Sequence, residues 1–391
     1  MLRRFRPLCR RWTLAFALLA AGCAAPGIAP PGDAVDPAAP VTVAVLVPTG
    51  SADPAREALG QSLRNAAELA AGDVSGAQLD LRFYPTAGDP ARAAEAAGQA
   101  VAEGASVILG PLFAASTRAV APAAAEVGVP VLSLSNTPGV AGGGVYTLGT
   151  AQESATARIV RHGVGQGRMR FAIVSPSGPE GDLAAAGAAR AVAGAGAAVG
   201  LTASYPFSVQ GITETVPKIA RQVRAVGADA VILTDGPTGG LALVGETLRG
   251  LGVRQDAVAF LGVQRWDVSA QAIAQPSLQG GRFPGPDAGV FTAFQDRYRA
   301  AYGTAPHPLA GLAFDGVAAI GALVAEAARD GSGQPFAPDR LTQPGGFAGV
   351  QGIFRLTPDG RADRSLAVYE VIDGRAVQID PAPRSFGVGG A

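Results

Sequence analysis

Hydroxyl and amide side chains cluster in one short segment, SLSNT at 133–137, directly after a run of apolar residues. Such groups could hold a small polar ligand through a few well-placed hydrogen bonds. Ser, Asn and Thr before a proline are also ordinary turn residues, so ligand binding and turn formation are both open interpretations. Similar side chains follow other predicted strands. The candidate ligand-binding residues are Thr49, Ser51, Ser116, Thr117, Ser133, Ser135, Asn136, Thr137, Thr238 and Gln264.

Signals for catalysis are weak in this chain. Its two histidines, His162 and His307, are isolated from each other and do not form a zinc or nucleophile motif. The glycine-rich GVGQG at 163–167 follows a predicted helix and precedes a predicted strand, which is the reverse of the order that a phosphate-binding loop needs. A carboxylate pair assembled by the fold is the remaining catalytic alternative. We predict a non-enzymatic protein with no cofactor and no metal.

The N-terminus is typical of an exported protein. Five arginines precede or adjoin a ten-residue apolar run, Trp12 to Ala21, which is about half of the ~20 residues that a membrane-spanning helix needs. Residues 20–23, AAGC, resemble the lipobox of bacterial lipoproteins. This resemblance implies a signal peptide over 1–22 and a diacylglycerol on the Cys23 thiol. Because Cys9 would be removed, Cys23 would have no disulfide partner in the chain. An ordinary secretory signal with an incidental cysteine is the alternative.

The charge balance excludes some partners. The chain has 31 basic and 31 acidic residues, and loss of the five arginines within 1–22 leaves a net charge of about −5. This balance gives no electrostatic case for nucleic-acid binding or for a basic patch against anionic lipid. Residues 23–40 are rich in proline and nearly free of large apolar side chains. We therefore predict that they carry the lipidated cysteine and form an extended tether.

Two consecutive series of short apolar runs and longer Ala-rich stretches follow from Val41. Strand–helix alternation requires right-handed crossovers and a parallel sheet, so two series predict an α/β fold with two lobes facing a cleft. The ligand end of each lobe is then the carboxyl edge of its strands. The predicted strands are 41–48, 79–84, 106–110 and 129–135 in the first series, 170–175, 199–207, 228–234 and 258–262 in the second, and 352–357 and 365–372 near the end. The main helices are predicted around 59–70, 90–104, 116–127, 151–164, 182–195, 212–226, 240–251, 288–302 and 308–329.

The segment from Val41 to about Asp380 resembles the type I periplasmic binding proteins, specifically the leucine/isoleucine/valine-binding group. Residues 87–137 are the most specific part, with an Asp-Pro-initiated Ala-rich helix, then VILGPLFAAST and VPVLSLSNT. The resemblance implies two lobes joined by three crossovers. The implied boundaries are 41–150 plus about 283–346 for lobe 1, 151–282 plus about 347–380 for lobe 2, and 381–391 for a flexible tail.

The resemblance carries over only part of that group's ligand site. Ser135 and Thr137 match a backbone contact and a hydroxyl of the group, whereas Ala114 stands where a Ser or Thr is usual. Gly178 replaces a tyrosine of lobe 2, a second tyrosine aligns near Thr238, and the acidic partner of an ammonium group aligns near Gln264. Burying an unpaired charge costs several kcal/mol, so these replacements argue against an ordinary leucine receptor.

VPVLSLSNTP at 129–138 resembles more closely the strand end of bacterial lipoproteins that activate penicillin-binding proteins. That resemblance implies a regulator of a peptidoglycan synthase. Ala24 after the cysteine implies the periplasmic face of the outer membrane by the usual sorting rule. The activators' N-terminal helical-repeat domain has no counterpart here. The alternative is the substrate-binding lipoprotein of an ABC transporter for amino acids or related solutes, with an ABC permease as its partner.

Overall fold

A computed structural model describes residues 39–386. The predicted signal peptide, Cys23 and the tether up to residue 38 lie outside these residues, as do positions 387–391. The strands are β1 (Val41–Val47), β2 (Leu79–Pro85), β3 (Val107–Leu109), β4 (Val131–Ser133), β5 (Val145–Thr147), β6 (Arg170–Pro176), β7 (Ala198–Tyr205), β8 (Ala230–Leu233), β9 (Ala259–Gly262), β10 (Arg282–Gly285), β11 (Phe354–Leu356), β12 (Ala362–Arg364), β13 (Ala367–Ile372) and β14 (Arg375–Asp380).

The helices connect these strands in the predicted alternation. They are α1 (Pro54–Ala71), α2 (Pro90–Ala102), α3 (Ala114–Glu126), α4 (Gln152–Gly165), α5 (Pro179–Gly194), α6 (Val209–Ala225), α7 (Leu241–Gly250), α8 (Ala270–Ile273), α9 (Ala288–Tyr302), α10 (Ala310–Asp330) and α11 (Pro338–Leu341). Aspartates start two of the helices that follow lobe 1 strands. Asp53 and Asp89 accept backbone N–H bonds at the N-termini of α1 and α2, each directly before a proline.

Two sheets define two lobes, as the sequence predicts. The first is fully parallel in the order β2-β1-β3-β4-β5, and the second has the order β14-β13-β10-β9-β8-β6-β7. Alternate residues of each central strand enter two different cores. Val43 and Val45 pack under α1 and α10, whereas Ala44 and Leu46 pack under α2 and α3. Each sheet is therefore covered on both faces, which explains why these strands are continuous apolar runs.

The end of the second sheet differs from the prediction of purely parallel lobes. β13 pairs antiparallel with both β10 and β14. A two-residue turn, Asp373-Gly374, joins β13 to β14, and both residues have positive φ (50° and 70°). This is the conformation that Asp-Gly hairpin turns adopt. A short antiparallel hairpin can close an edge without the crossover helix that a parallel pair requires.

Three crossovers join the lobes, at 148–151, 286–287 and 365–366. β10 belongs to the second sheet, so the second crossover follows residue 285 rather than 283. The β11–β12 hairpin packs in the core of lobe 1 through Phe354 and Ala362. The last crossover therefore lies near 365 and not near the expected 347. The expected boundary is wrong there because the apolar hairpin covers an open part of the lobe 1 core.

A buried ion pair connects elements of lobe 1 to the first crossover. Arg364 and Asp315 have fully buried side chains and form an ion pair of 2.6 Å, and Arg364 also donates to the carbonyl of Leu148 in the first crossover (3.2 Å). Asp315 in turn accepts a bond from the Val350 amide (2.6 Å). Burial raises the pKa of the Asp315 carboxyl, against the lowering effect of the adjacent Arg364 guanidinium. The pair therefore connects α10, the hairpin and one crossover in a single polar network.

Helix α10 is apolar enough and long enough to span a membrane by composition alone. In the described structure, 78% of its most apolar window is buried inside the protein. Its side chains pack against α1 and the first sheet in the lobe 1 core. We therefore interpret α10 as the core helix of lobe 1.

Candidate functional site

Both sheets have a point where the strand order reverses, and a ligand crevice forms at such points in open α/β sheets. In lobe 1 the reversal lies between β1 and β3, and in lobe 2 it lies between β6 and β8. The predicted site residues lie at the carboxyl ends of these strands and of their neighbours β4 and β9. We call them the lobe 1 edge (residues 48–51, 110–117 and 133–137) and the lobe 2 edge (175–182, 234–240 and 262–267).

A hydroxyl network organises the lobe 1 edge. Ser133 Oγ donates to the Pro111 carbonyl (3.0 Å), accepts from the Ser135 amide (3.1 Å) and lies 2.8 Å from Thr117 Oγ1. Thr117 Oγ1 also donates to the Phe113 carbonyl at 3.1 Å. Ser133 and Thr117 are fully buried. These two predicted site residues are therefore structural, since they hold the loops in place and have no exposed surface for a solute.

Other predicted residues of this edge keep binding capacity. Ser135 Oγ accepts the Thr137 amide (3.1 Å), which leaves its own hydroxyl hydrogen free to donate. The Thr137 hydroxyl is half-buried and makes no hydrogen bond within residues 39–386, and Asn136 is exposed. Asn136 and Thr137 thus form the accessible part of the SLSNT segment, whereas Ser135 is buried (3% exposed).

The N-terminus of α3 faces the same edge. Its N-cap residue is Phe113, which has no oxygen to cap the helix, and the first intrahelical bond runs from the Thr117 amide to the Phe113 carbonyl (2.9 Å). The amides of residues 114–116 therefore precede that bond and carry the partial positive charge of a helix start. Ser116 Oγ, in this turn, is buried and has no partner among the described residues. An anion is the ligand that such a turn favours.

A guanidinium lies beside this helix start. The Arg56 side chain is 5.6 Å from the centroid of the Phe113 ring, and its Nη1 donates to the Ala87 carbonyl at 3.4 Å. A Cβ on Gly60 would lie 2.6 Å from the Thr49 amide nitrogen, so α1 can approach the loop after β1 only because residue 60 is glycine. Thr49 is half-buried there, and Ser51 accepts the Asp53 amide (3.2 Å) near the start of α1.

The lobe 2 edge is organised by a carboxylate instead. Asp235 accepts the Tyr205 hydroxyl (2.7 Å) and the amides of Gly236 (2.8 Å) and Gly240 (2.6 Å). Burial is the main cause that raises the pKa of the Tyr205 hydroxyl, and the hydrogen bond to Asp235 raises it further. The hydroxyl therefore remains protonated and acts as a donor. Asp235 is thereby engaged within the lobe. Pattern reasoning did not select it, although an aspartate that ends a buried strand and precedes a glycine turn is a signal that could have identified it.

The two predicted ligand residues of the lobe 2 edge lie on the surface. Thr238 is exposed in the turn before α7, and the exposed Gln264 donates through Nε2 to the Thr234 carbonyl (3.2 Å). Trp266 is fully buried and stacks on Phe283 with ring centroids 5.8 Å apart. Of the predicted Arg265–Trp266 pair, the tryptophan therefore closes the lobe 2 core and cannot be a surface contact.

Arg265 reaches from lobe 2 to lobe 1. Asp267 holds its guanidinium through two bonds (3.0 and 2.7 Å), and its Nη1 donates to the Pro308 carbonyl before α10 (3.3 Å). The same guanidinium lies 5.2 Å from the ring centroid of Phe291 in the lobe 1 core. The loop after β9 therefore bridges the lobes outside the three crossovers.

The geometry defines two α/β lobes with a polar edge on each, and the sequence comparisons agree with this fold. The chain belongs to the periplasmic binding protein family, whose sequence profile matches residues 40–376. This coarser part of the sequence interpretation, together with its α/β fold, is confirmed. No curated protein is significantly similar to the chain in sequence.

Solved structures of similar fold come from several bacteria. A branched-chain amino acid ABC transporter periplasmic ligand-binding protein of Burkholderia xenovorans shares 18% identity and a TM-score of 0.70, with 87% of this chain and 96% of that chain covered. An ABC transporter substrate-binding protein of Desulfitobacterium hafniense in complex with leucine has 16% identity, a TM-score of 0.65 and coverage of 87% and 100%. An R. palustris solute-binding protein in complex with 4-hydroxybenzoate has 16% identity, a TM-score of 0.64 and coverage of 89% and 98%.

Proposed function

We propose that this protein captures a small carboxylate for an ABC importer and that the far end of the solute is uncharged. The observation that carries the proposal is the contrast between the two edges. The lobe 1 edge offers an uncapped helix start and the unbonded, half-buried hydroxyl of Thr137, whereas the buried carboxylate of lobe 2, Asp235, is already bonded within the lobe.

A carboxylate fits the lobe 1 edge chemically. Backbone amides at a helix start and neighbouring hydroxyls are donors, and they match an acceptor that carries negative charge. Arg56 beside Phe113 adds a cation and an aromatic ring at the same place. Two proteins of similar fold bind a solute with a carboxylate, since one is in complex with the amino acid leucine and the other with the aromatic acid 4-hydroxybenzoate.

An ammonium group finds a poorer environment at the lobe 2 edge. Gln264 replaces the expected acidic residue and is itself exposed. Glu180 and Asp182 are carboxylates of this edge, but they are exposed in the first turn of α5, where they offset the helix dipole. An exposed carboxylate contributes little to holding a buried cation. We therefore favour benzoate-like acids over leucine or valine.

Calorimetry against leucine, valine, benzoate and 4-hydroxybenzoate tests the proposal. We expect saturable heat for at least one aromatic acid and none for the two amino acids. Thr137→Val should weaken that binding about tenfold, because one hydrogen bond to a charged acceptor contributes about 1.5 kcal/mol. Thr213→Val is the matched control, since its hydroxyl bonds only to its own helix, α6. Leucine binding that survives Thr137→Val would contradict both the class of solute and the edge that binds it.

The second candidate function is regulation of a peptidoglycan synthase. It is supported by the likeness of residues 129–138 to penicillin-binding protein activators and by the lipobox-like AAGC ending at Cys23. Crosslinking in envelope extracts distinguishes the two candidates. Recovery of a glycosyltransferase/transpeptidase would favour the regulator, and recovery of an ABC permease would favour the importer. Mass spectrometry of the mature N-terminus, with Cys23→Ser as control, tests the proposed lipid anchor, and separation of inner and outer membranes tests its outer-membrane address.

A further inference from the structure

A wide groove lies on the hinge side of the molecule, away from both edges of the cleft. Its volume is about 860 Å³, within the range of small-molecule sites. One wall is the start of α4 in lobe 2, the other is the β11–β12 hairpin of lobe 1, and residues 383–386 lie along it. We call it the hinge groove. None of the predicted ligand-binding residues lines it.

Guanidinium groups dominate the lining of the hinge groove. Five arginines and three carboxylates line it. Two of the carboxylates pair with neighbours on the hairpin, because Asp363 binds Arg355 (3.0 Å) and Asp359 binds Arg361. The third, Glu153, lies 3.9 Å from Arg361. Arg158 and Arg364 pair with carboxylates outside the lining, Asp380 and Asp315. Arg161 on the α4 wall is therefore the lining arginine that has no ion pair among the described residues.

Intramolecular bonds hold these arginines in place but do not use all their donors. Arg158 donates Nε to the Leu366 carbonyl (2.7 Å) and pairs with Asp380 (2.9 Å), and Arg355 uses Nε and Nη2 for Asp363. Both leave Nη1 without a partner among the described residues. Arg161 is exposed and makes no hydrogen bond or ion pair within residues 39–386. A fixed guanidinium with spare N–H donors is a preorganised partner for an oxyanion.

A buried polar atom at the floor points to the same chemistry. Arg364 lines the groove with a fully buried side chain, and its Nε donor has no hydrogen-bond partner in the described structure. The Arg355 guanidinium lies 4.6 Å from the Phe386 ring centroid, so an aromatic face adjoins the donors. The groove therefore combines spare guanidinium donors, the exposed Arg161 without an ion pair, and an aromatic face.

We propose that the hinge groove is a second binding site, for a small solute that carries an oxyanion, either carboxylate or phosphate. The proposal is independent of the solute that occupies the cleft between the two edges. Arg161 is its most informative residue, because its side chain lines the groove and supports no other part of the described fold.

Calorimetry with citrate and with inorganic phosphate tests the site and separates the two sources of the oxyanion. We expect saturable binding of at least one probe at constant ionic strength, and Arg161→Gln should weaken it about tenfold. Arg190→Gln is the matched control, because Arg190 is an exposed arginine of α5 outside the groove. It should leave the affinity unchanged, as should Thr137→Val at the lobe 1 edge.

Three results would overturn the proposal. The first is the absence of saturable heat with both citrate and inorganic phosphate. The second is an equal loss of affinity in Arg161→Gln and Arg190→Gln, which would indicate general charge screening. The third is a thermal stabilisation by citrate or phosphate that sodium chloride reproduces at the same ionic strength. Should Arg161→Gln fold poorly, Arg355→Gln with unfolding measured in parallel provides the second variant.

Discussion

The two edges of the cleft hold their loops in place with different polar groups, hydroxyls in lobe 1 and a carboxylate in lobe 2. Both lie where the strand order of a sheet reverses and both need polar groups to fix irregular loops. The lobe 1 edge uses neutral hydroxyls, centred on Ser133, and leaves the half-buried Thr137 hydroxyl without a partner among the described residues. The lobe 2 edge uses one carboxylate, Asp235, which accepts hydrogen bonds from the Tyr205 hydroxyl and from two backbone amides of the same lobe. A solute therefore meets donors on one side and a largely satisfied surface on the other.

This difference explains how the chain can keep the fold of an amino-acid receptor with altered ligand residues. The position of the hydroxyl segment follows from the backbone at the end of β4. The partner of an ammonium group depends on a single side chain, and the resemblance aligns Gln264 near that place. Under the proposed function, this replacement accounts for a different class of solute on the same architecture.

The largest effect is expected from Asp235→Ala. The substitution leaves the buried Tyr205 hydroxyl and two amides without an acceptor, and an unsatisfied buried polar group costs about 1–3 kcal/mol. We expect a loss of about 3 kcal/mol in the free energy of unfolding, measured with urea. Asp182→Ala, an exposed carboxylate of the same edge, should cost less than about 1 kcal/mol. Equal effects of the two variants would mean that Asp235 is no more structural than a surface residue.

A smaller loss of stability is expected from Ser133→Ala at the other edge. The neutral network around Ser133 has partners that can rebond in part, so about 1–2 kcal/mol is expected in the same experiment. Ser385→Ala, at an exposed serine, should have no measurable effect. A larger loss than that of Asp235→Ala would reverse the contrast between neutral and charged edges.

The sequence predicts the backbone of this protein better than its polar contacts. Apolar runs such as Val41–Val47 are buried on both faces, and their length and β-branched residues identify them as strands. Two short strands, Val145–Thr147 and Arg282–Gly285, were not predicted, because neither segment contains an apolar run of strand length. The sequence also did not predict β14, which alternates polar and apolar residues at the edge of the second sheet.

The same limit applies to the candidate site. Ser135 and Thr137 follow a strand directly, so topology places them at the cleft edge. The pairing of Asp315 with Arg364 joins residues that are 49 positions apart, and nothing local in either segment indicates it. The burial of Ser133 and Thr117 also depends on how two loops pack. Residue type and strand order therefore indicate that these hydroxyls share one edge of the first sheet, but they do not indicate which hydroxyls are accessible.

The contacts that Arg265 of lobe 2 makes with lobe 1 give a third test. Arg265→Gln removes the bond to the Pro308 carbonyl and the contact with Phe291, so the lobes should separate further on average. We expect an increase in the radius of gyration by small-angle scattering and a stability change of about 1 kcal/mol or less. Arg254→Gln is a close control, because Arg254 makes the same pairing with an aspartate two residues later, fully on the surface of lobe 2. An unchanged radius in Arg265→Gln would show that the crossovers alone set the angle.

The smallest effect concerns pH and compares one histidine in each lobe. Burial lowers the pKa of His307, and the positive charge of Arg265 lowers it further. Burial also lowers the pKa of His162, but a hydrogen bond to Asp380 opposes that shift. The unfolded chain therefore binds more protons than the folded one as the pH falls through 6.5, so the free energy of unfolding should decrease on acidification from about pH 7 to pH 5.

His307 should account for the larger share of this decrease. No carboxylate offsets its burial, and protonation would also disrupt the bond from the Leu309 amide to Nδ1 (3.1 Å). Each histidine can contribute at most about 1.4 kcal/mol per pH unit. His307→Asn keeps an acceptor near the Nδ1 position and should flatten the profile between pH 7 and pH 5 more than His162→Asn does. The reverse order would mean that Asp380 does not compensate the burial of His162, and that the polar contacts of lobe 2 are weaker than their geometry indicates.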